Sequence, residues 1–232
     1  MTPSYQDSRV AVYDNFLAAD DWTAVLRYLD KAKFRRILPD AWGSAYQLTN
    51  GEPLVGAEVF SSPVDGVPTA HCYPTHTGLD GLVNRILSFK AKIAPLIEPG
   101  GVAWSHFTMC PYVYPVDAGL GWHTDSHAQG AYIYYAHPFW GRQWGGELLV
   151  HWSDVDFSTD SSISSRGIFR NETIESALAC GLGHYITPTP NRIVFLRART
   201  LHMIKRVDSA AGDNARISLA GFFVPPGAPI SH

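Results

Sequence analysis

Residues 121–127, Gly-Trp-His-Thr-Asp-Ser-His, place three metal-capable side chains, His123, Asp125 and His127, at alternate positions. In an extended segment, side chains two apart share a face. His123 and Asp125 would then offer a nitrogen and an oxygen to one point, with Thr124 turned away. Such a pair is half of a two-histidine, one-carboxylate facial triad. That ligand set leaves about half of an octahedral shell open for other molecules. A bare His-x-Asp arises by chance in many chains, so the rest of the sequence must supply the second histidine.

Ten histidines are present. His127 continues the alternation, but one short segment would have to curl three ligands round a single ion. His137, His151 and His184 sit in or beside strand-like runs, His71, His76 and His106 precede the motif, and His232 is terminal. His202 fits best. It follows the strand-like Arg-Ile-Val-Phe-Leu-Arg-Ala and a turn, and it precedes a strand carrying Arg216. Two neighbouring strands and their connection can set it opposite His123 and Asp125, and His127 is then a bystander.

The elements that must position these residues change character along the chain. Trp22, Val25, Leu26 and Leu29 recur at helical spacing, with Asp20 or Asp21 as the expected cap. Leu79, Leu82, Val83 and Ile86 repeat the spacing, with Pro95 near the end of that second helix. Residues 39–78 between them, rich in Gly, Pro and Ser, read as loops with short strands. From about residue 102, runs of β-branched and aromatic residues appear: SHFTMCPYVY, AYIYYA, ELLVHW, RIVFLRA and RISLAGFFV. A polar segment over 153–170 and a short helix over 171–180 interrupt them. The 153–170 stretch reads as a solvated loop, with a substrate lid as the sharper alternative. The expected fold is mostly β with flanking α-helices, built on a double-stranded β-helix (jelly-roll, cupin-like) core. With no repeat or linker, residues 1–232 read as one domain, with 1–100 as helical and loop support and 101–226 as the jelly-roll core.

Bulk properties exclude several classes. The net charge of −3 gives no field for holding phosphate backbones, so nucleic acid is not an expected partner. No apolar run approaches the ~20 residues that span a bilayer, and MTPSYQDSRV lacks a signal-peptide core. Three cysteines far apart, Cys72, Cys110 and Cys180, suggest a reducing compartment. A cytoplasmic location follows as the expectation. Oligomeric state is not legible.

Three stretches taken together resemble the iron(II)- and 2-oxoglutarate-dependent dioxygenases, in their prolyl-4-hydroxylase-like branch: YPVDAGLGWHTD (114–125), AYIYYAHPFWGRQWGGELLV (131–150) and ITPTPNRIVFLRARTLHMIKRVDSAAGDNARISLAGFFV (186–224). The resemblance lies in the order of motifs over the C-terminal half. A tyrosine strand comes first, then His-x-Asp, a Tyr-rich strand, Gly-Gly-Glu, Pro-x-x-Asn-Arg, a distal histidine and Arg-x-Ser.

It implies iron(II) held by His123, Asp125 and His202, with 2-oxoglutarate and O2 as co-substrates and ascorbate as an optional auxiliary reductant. It implies that Arg216 grips the distal carboxylate of 2-oxoglutarate, since a buried dicarboxylate needs a permanently charged bidentate partner. Ser218 adds a hydroxyl, and Tyr114 and Tyr135 are the matching tyrosines, Tyr114 after a one-residue shift. The turn DSAAGDNA puts Arg216 later than in similar chains, and Arg206 is the fallback anchor.

The activity implied is hydroxylation of an unactivated C–H bond with release of succinate and CO2. Desaturation, epoxidation and cyclisation use the same ligands. A small molecule, an amino acid or natural-product intermediate, is the favoured substrate, and a prolyl or peptidyl site on a protein is the runner-up. A cupin-like metal enzyme without 2-oxoglutarate and a metal-free jelly-roll binding module are the remaining alternatives. Gly145-Gly146-Glu147 is expected only to connect strands, and Tyr112, Tyr132 and Tyr134 to be packing residues.

Overall fold

In the computed structural model, residues 1–37, 51–98, 101–125, 128–152, 176–179 and 181–228 are described. The polar 153–170 segment, most of the expected 171–180 helix, His127 and His232 lie outside them.

Thirteen strands among the described residues form two antiparallel sheets. The larger contains β1 (Tyr5–Gln6), β2 (Val10–Tyr13), β3 (Arg35–Arg36), β4 (Leu54–Val55), β5 (Val59–Phe60), β6 (His106–Tyr114), β8 (Gly130–Tyr135), β11 (Ile193–Arg197) and β13 (Arg216–Val224). Its order is β1-β2-β11-β8-β13-β6-β4-β3, with β5 also paired to β6. The smaller contains β7 (Leu120–His123), β9 (Leu148–His151), β10 (Gly183–Ile186) and β12 (His202–Ile204), in the order β10-β9-β12-β7. The five strand-like runs predicted from sequence each contain a strand, and the mostly-β architecture is that of a double-stranded β-helix.

Two apolar layers explain the sequence texture. Ala131, Ile133 and Tyr135 of β8 face the smaller sheet, where they pack with Leu148, Val150 and Ile204. Tyr132 and Tyr134 face the other way, onto the helices. The same split divides Val194 and Leu196 from Ile193 and Phe195 on β11, and Val10 and Val12 from Ala11 and Tyr13 on β2. Strands covered on both faces read as continuous apolar runs rather than as alternation. This also explains why β2, only four residues and all buried, is not legible beforehand. The support expected over 1–100 therefore includes strands that widen the larger sheet.

The helices are α1 (Ala19–Lys31), α2 (Asp80–Ser88) and α3 (Lys90–Ile97). Val25 and Leu29 of α1 pack against Leu79, Leu82, Val83 and Ile86, all on the outer face of the larger sheet. Asp20 and Asp21 do not cap α1. Ala18 takes the cap position without a side-chain bond, and both acids lie in the first turn, where they complement the positive end of the helix dipole. The second apolar period is broken at Phe89 into two helices, and Pro95 sits inside the second of them. No helix among the described residues is long and apolar enough to cross a membrane.

Candidate metal centre and carboxylate anchor

His123 ends β7 and His202 opens β12, and the two are paired residues across the antiparallel ladder. Their ring centroids are 4.2 Å apart. Asp125 follows β7 by two residues and approaches both. Its Oδ1 is 3.9 Å from His123 Nε2 and its Oδ2 is 3.6 Å from His202 Nε2. One ligand atom from each of the three lies within 4.8 Å of the others. The side chains are only 11%, 13% and 6% exposed for His123, Asp125 and His202.

Hydrogen bonds settle the tautomers. His123 Nδ1 donates to the Gly121 carbonyl at 2.7 Å, and His202 Nδ1 donates to the Thr200 carbonyl at 2.8 Å. Each ring therefore turns its Nε2 lone pair toward the carboxylate. Backbone carbonyls that fix the ring in this way are the usual outer support of a metal-binding histidine. Burial, reinforced by the neighbouring His202, pushes the His123 pKa down to about 4 against the pull of Asp125. The ring is neutral at neutral pH, the state a metal requires. Two imidazoles and one carboxylate suit a divalent first-row metal, iron(II) included, with coordination positions left open.

Arg216 opens β13 on the facing, larger sheet, and its residue is completely buried. Its Nη1 donates to Ser218 Oγ at 3.2 Å. Its Nε and Nη2 have no hydrogen-bond partner among the described residues. The guanidinium lies 5.1 Å from the Tyr114 ring centre and 4.9 Å from that of Tyr135. Strand register sets this up, because Arg216 pairs with Tyr114 of β6 and Ser218 with Tyr135 of β8. Burial raises the pKa of Tyr114 to about 12 and that of Tyr135 as well, with Arg216 opposing the rise in both. Both phenols are therefore neutral hydroxyls. That of Tyr135, also buried, lies near enough to Arg216 to feel it but makes no bond of good geometry among the described residues.

A buried guanidinium with two unsatisfied donors is costly unless a carboxylate meets it. Arg206, the fallback anchor, is exposed and faces no such demand. The DSAAGDNA insertion is absorbed by a short 3-10 turn over Ser209–Ala211, which leaves the start of β13 in register with β6.

Ala220 and Phe222 continue the Arg216–Ser218 face of β13 toward the other end of the inter-sheet layer. Tyr132 and Tyr134 are packing residues with satisfied hydroxyls, the first on the Thr108 carbonyl and the second on Asn191 Oδ1. Tyr112 packs on the inner side beside Cys110.

Three features escaped the sequence reading. Gly145 and Gly146 do more than connect strands. Both have positive φ, +70° and +72°, and a Cβ on Gly146 would stand 2.9 Å from Arg216 Cδ and 3.3 Å from Trp140 Cζ2. The glycine turn thus lies directly against the Arg216 side chain and the Trp140 ring. Asn191, at φ 57°, bonds Leu17 N, Leu17 O and the Tyr134 hydroxyl, and so pins the N-terminal segment to β8. His137, 2% exposed, bonds two backbone groups beside the anchor. The only advance signal for these was their place in the Gly-Gly-Glu, Pro-x-x-Asn-Arg and Tyr-rich motifs.

No protein-family model and no curated protein matches the sequence. Solved structures do match its fold. A prolyl-4-hydroxylase from Pseudomonas putida is similar over 93% of this chain and 92% of its own, with a TM-score of 0.58 and 15% identity. A Trichoplax adhaerens prolyl hydroxylase, solved in complex with a hypoxia inducible factor oxygen degradation domain peptide fragment, covers 94% and 84%, with a TM-score of 0.59 and 16% identity. A 2OG-Fe(II) oxygenase family oxidoreductase from Burkholderia pseudomallei covers 93% and 85%, with a TM-score of 0.51 and 11% identity. At these identities the likeness concerns architecture. The chain has the double-stranded β-helix fold of the prolyl-4-hydroxylases and 2OG-Fe(II) oxygenases.

Proposed function

We propose that the chain is an iron(II)- and 2-oxoglutarate-dependent dioxygenase that hydroxylates an unactivated C–H bond. The observation that carries the reading is Arg216, a fully buried cation with two donors that no described residue meets, on the sheet facing a His–Asp–His cluster. A cupin-like enzyme without a dicarboxylate co-substrate has no use for such a group, and neither has a metal-free binding module.

In this reading His123, Asp125 and His202 hold the metal, and their Nδ1 bonds keep both imidazoles aimed at it. The metal, when bound, supplies oxygen activation coupled to decarboxylation of 2-oxoglutarate. The protein's own part is placement. Arg216 takes the distal carboxylate through two parallel N–H donors, Ser218 Oγ steadies Nη1, and the Tyr135 hydroxyl adds a donor. Gly146 and Trp140 close the pocket behind the guanidinium. Hydroxylation is the expected outcome because a carboxylate, Asp125, occupies the third ligand position.

A small molecule is the favoured substrate, because the chain has no evident peptide-binding motif and its strands are compact and aromatic-rich. A peptidyl substrate is the second reading, favoured by the fold likeness to a hydroxylase that holds a peptide. Anaerobic addition of iron(II) and then 2-oxoglutarate should produce a weak visible charge-transfer band, lost in Asp125→Ala. A folded wild-type chain that gives no band and releases no succinate refutes the proposal. Succinate release against a panel of metabolites and peptides separates the two substrate classes.

A further inference from the structure

We infer that His137 is a positioning residue for the carboxylate anchor, its ring locking β13 to the end of β8 and to the β10–β11 connection at the point where Arg216 projects. The inference rests on the reading of Arg216 as the anchor for a dicarboxylate.

The regular β8–β13 ladder ends where Ser218 pairs with Tyr135. One further backbone bond follows, from Ala136 N to Ile217 O at 3.0 Å. The chain then turns away through Pro138, and among the described residues no strand carbonyl takes the Ile217 N–H. The His137 ring takes that place, with Nδ1 accepting from Ile217 N at 3.3 Å. Its Nε2 donates to the Pro188 carbonyl at 2.6 Å. Ile217 lies between Arg216 and Ser218, so the bond fixes the backbone of the two residues that meet the carboxylate. Pro188 lies three residues before Asn191, which holds β8 and the N-terminal segment. One face of the imidazole lies 4.8 Å from the Trp140 ring, interplanar angle 38°, and that indole lines the Gly146 side of the guanidinium.

With both ring nitrogens committed to backbone groups, His137 is available neither as a metal ligand nor as a proton carrier. Only the neutral ring with its proton on Nε2 satisfies both bonds. A protonated ring would set a donor against the Ile217 N–H. A ring of either charge state that merely filled space would need no such pairing. The geometry assigns it the role that outer partners play around metal ligands, where their loss costs roughly 10–100-fold in affinity.

The test is calorimetric titration of 2-oxoglutarate into the full chain loaded with manganese(II), for wild type, His137→Leu and His137→Gln. Glutamine can both accept from Ile217 N and donate to Pro188 O; leucine can do neither. His137→Leu should bind 2-oxoglutarate at least roughly tenfold more weakly, with manganese affinity unchanged within about twofold, and His137→Gln should recover most of the loss. In turnover, the KM for 2-oxoglutarate should rise and kcat at saturation should hold.

Equal 2-oxoglutarate affinity in wild type and His137→Leu overturns the inference, as does a parallel fall in manganese affinity. A wild-type chain that binds no 2-oxoglutarate overturns the underlying anchor reading instead. If His137→Leu does not fold, nitrogen-15 histidine spectra of the wild type carry the test. His137 should appear as the Nε2–H tautomer and shift on addition of 2-oxoglutarate; a signal unmoved by the dicarboxylate overturns the inference.

Discussion

Replacing Arg216 with methionine should move two measurable quantities in opposite directions. The guanidinium is wholly buried, and its Nε and Nη2 are unsatisfied among the described residues. Each unsatisfied donor costs about 1–3 kcal/mol, or about 4 kcal/mol for the two. The compensation comes from two rings at 4.9 and 5.1 Å and the bond to Ser218. These contribute about 2–4 kcal/mol together.

Methionine fills a similar volume without charge. The metal-free Arg216→Met variant should therefore be as stable as wild type, or more stable by up to about 2 kcal/mol. For a chain of this size that is a rise of roughly 4–8 °C at most. Binding should do the reverse. Removing one partner of a buried charge pair costs about 3–5 kcal/mol, so 2-oxoglutarate affinity should fall roughly 150- to 5,000-fold.

Thermal denaturation without ligands, and titration of 2-oxoglutarate into the manganese-loaded protein, read the two effects separately. A variant that loses more than about 2 kcal/mol of stability while binding the dicarboxylate within tenfold of wild type would show Arg216 to be an ordinary structural cation.

Two further outcomes bear on the scaffold. Asn191→Ala strands the Leu17 N–H, the Leu17 carbonyl and the Tyr134 hydroxyl in a buried site and puts an alanine at φ 57°. It should cost about 4 kcal/mol in urea unfolding, and a loss below about 1 kcal/mol would remove Asn191 as the hub of the N-terminal segment. Acid should also weaken the fold. Burial depresses the His137 pKa from 6.5 to about 4, so the unfolded chain binds the proton first. The contribution of the neutral ring is complete above pH 6.5 and is lost as pH falls toward 4, about 3 kcal/mol in all. Urea midpoints of the metal-free protein across pH 7 to 4 should show this slope on top of the like contribution of His123, whose pKa burial also lowers to about 4, and His137→Gln should be shallower by its own share; identical slopes would contradict it.

The side chains that come together were more legible in the sequence than the scaffold was. His123 and Asp125 stand two apart, and the second histidine could be chosen because His202 follows one strand and precedes another. Arg216 was distinguished by the alternation Arg-Ile-Ser-Leu-Ala, which places Arg216 and Ser218 on one face. Local spacing carries that kind of information. What it does not carry is which faces meet. β2 has no alternation to reveal it, because both its faces are covered. The α1 cap departs from the Asp20 or Asp21 expectation because the chain enters that helix through Ala18, with no side-chain cap bond. Gly146 and His137 meet Arg216 and Ile217 only through contacts with β13, some 70 to 80 residues downstream, and beyond their place in the Gly-Gly-Glu and Tyr-rich motifs nothing in their own neighbourhood marks them.

The two halves of the centre belong to different sheets. His123 and His202 ride on the four-stranded sheet, and Arg216 rides on the nine-stranded one. A dicarboxylate held as proposed, at one end by a metal and at the other by Arg216, would therefore be a strut between two leaves that otherwise meet through apolar side chains. Metal alone braces only one leaf. With the strut in place, opening the sandwich requires breaking a charged clasp, so metal and dicarboxylate together should slow amide exchange in both sheets by more than their separate effects combined. Under the proposed function, the co-substrate would be a structural member of the fold for as long as it stayed bound, and its consumption in each turnover would momentarily unlatch the two sheets.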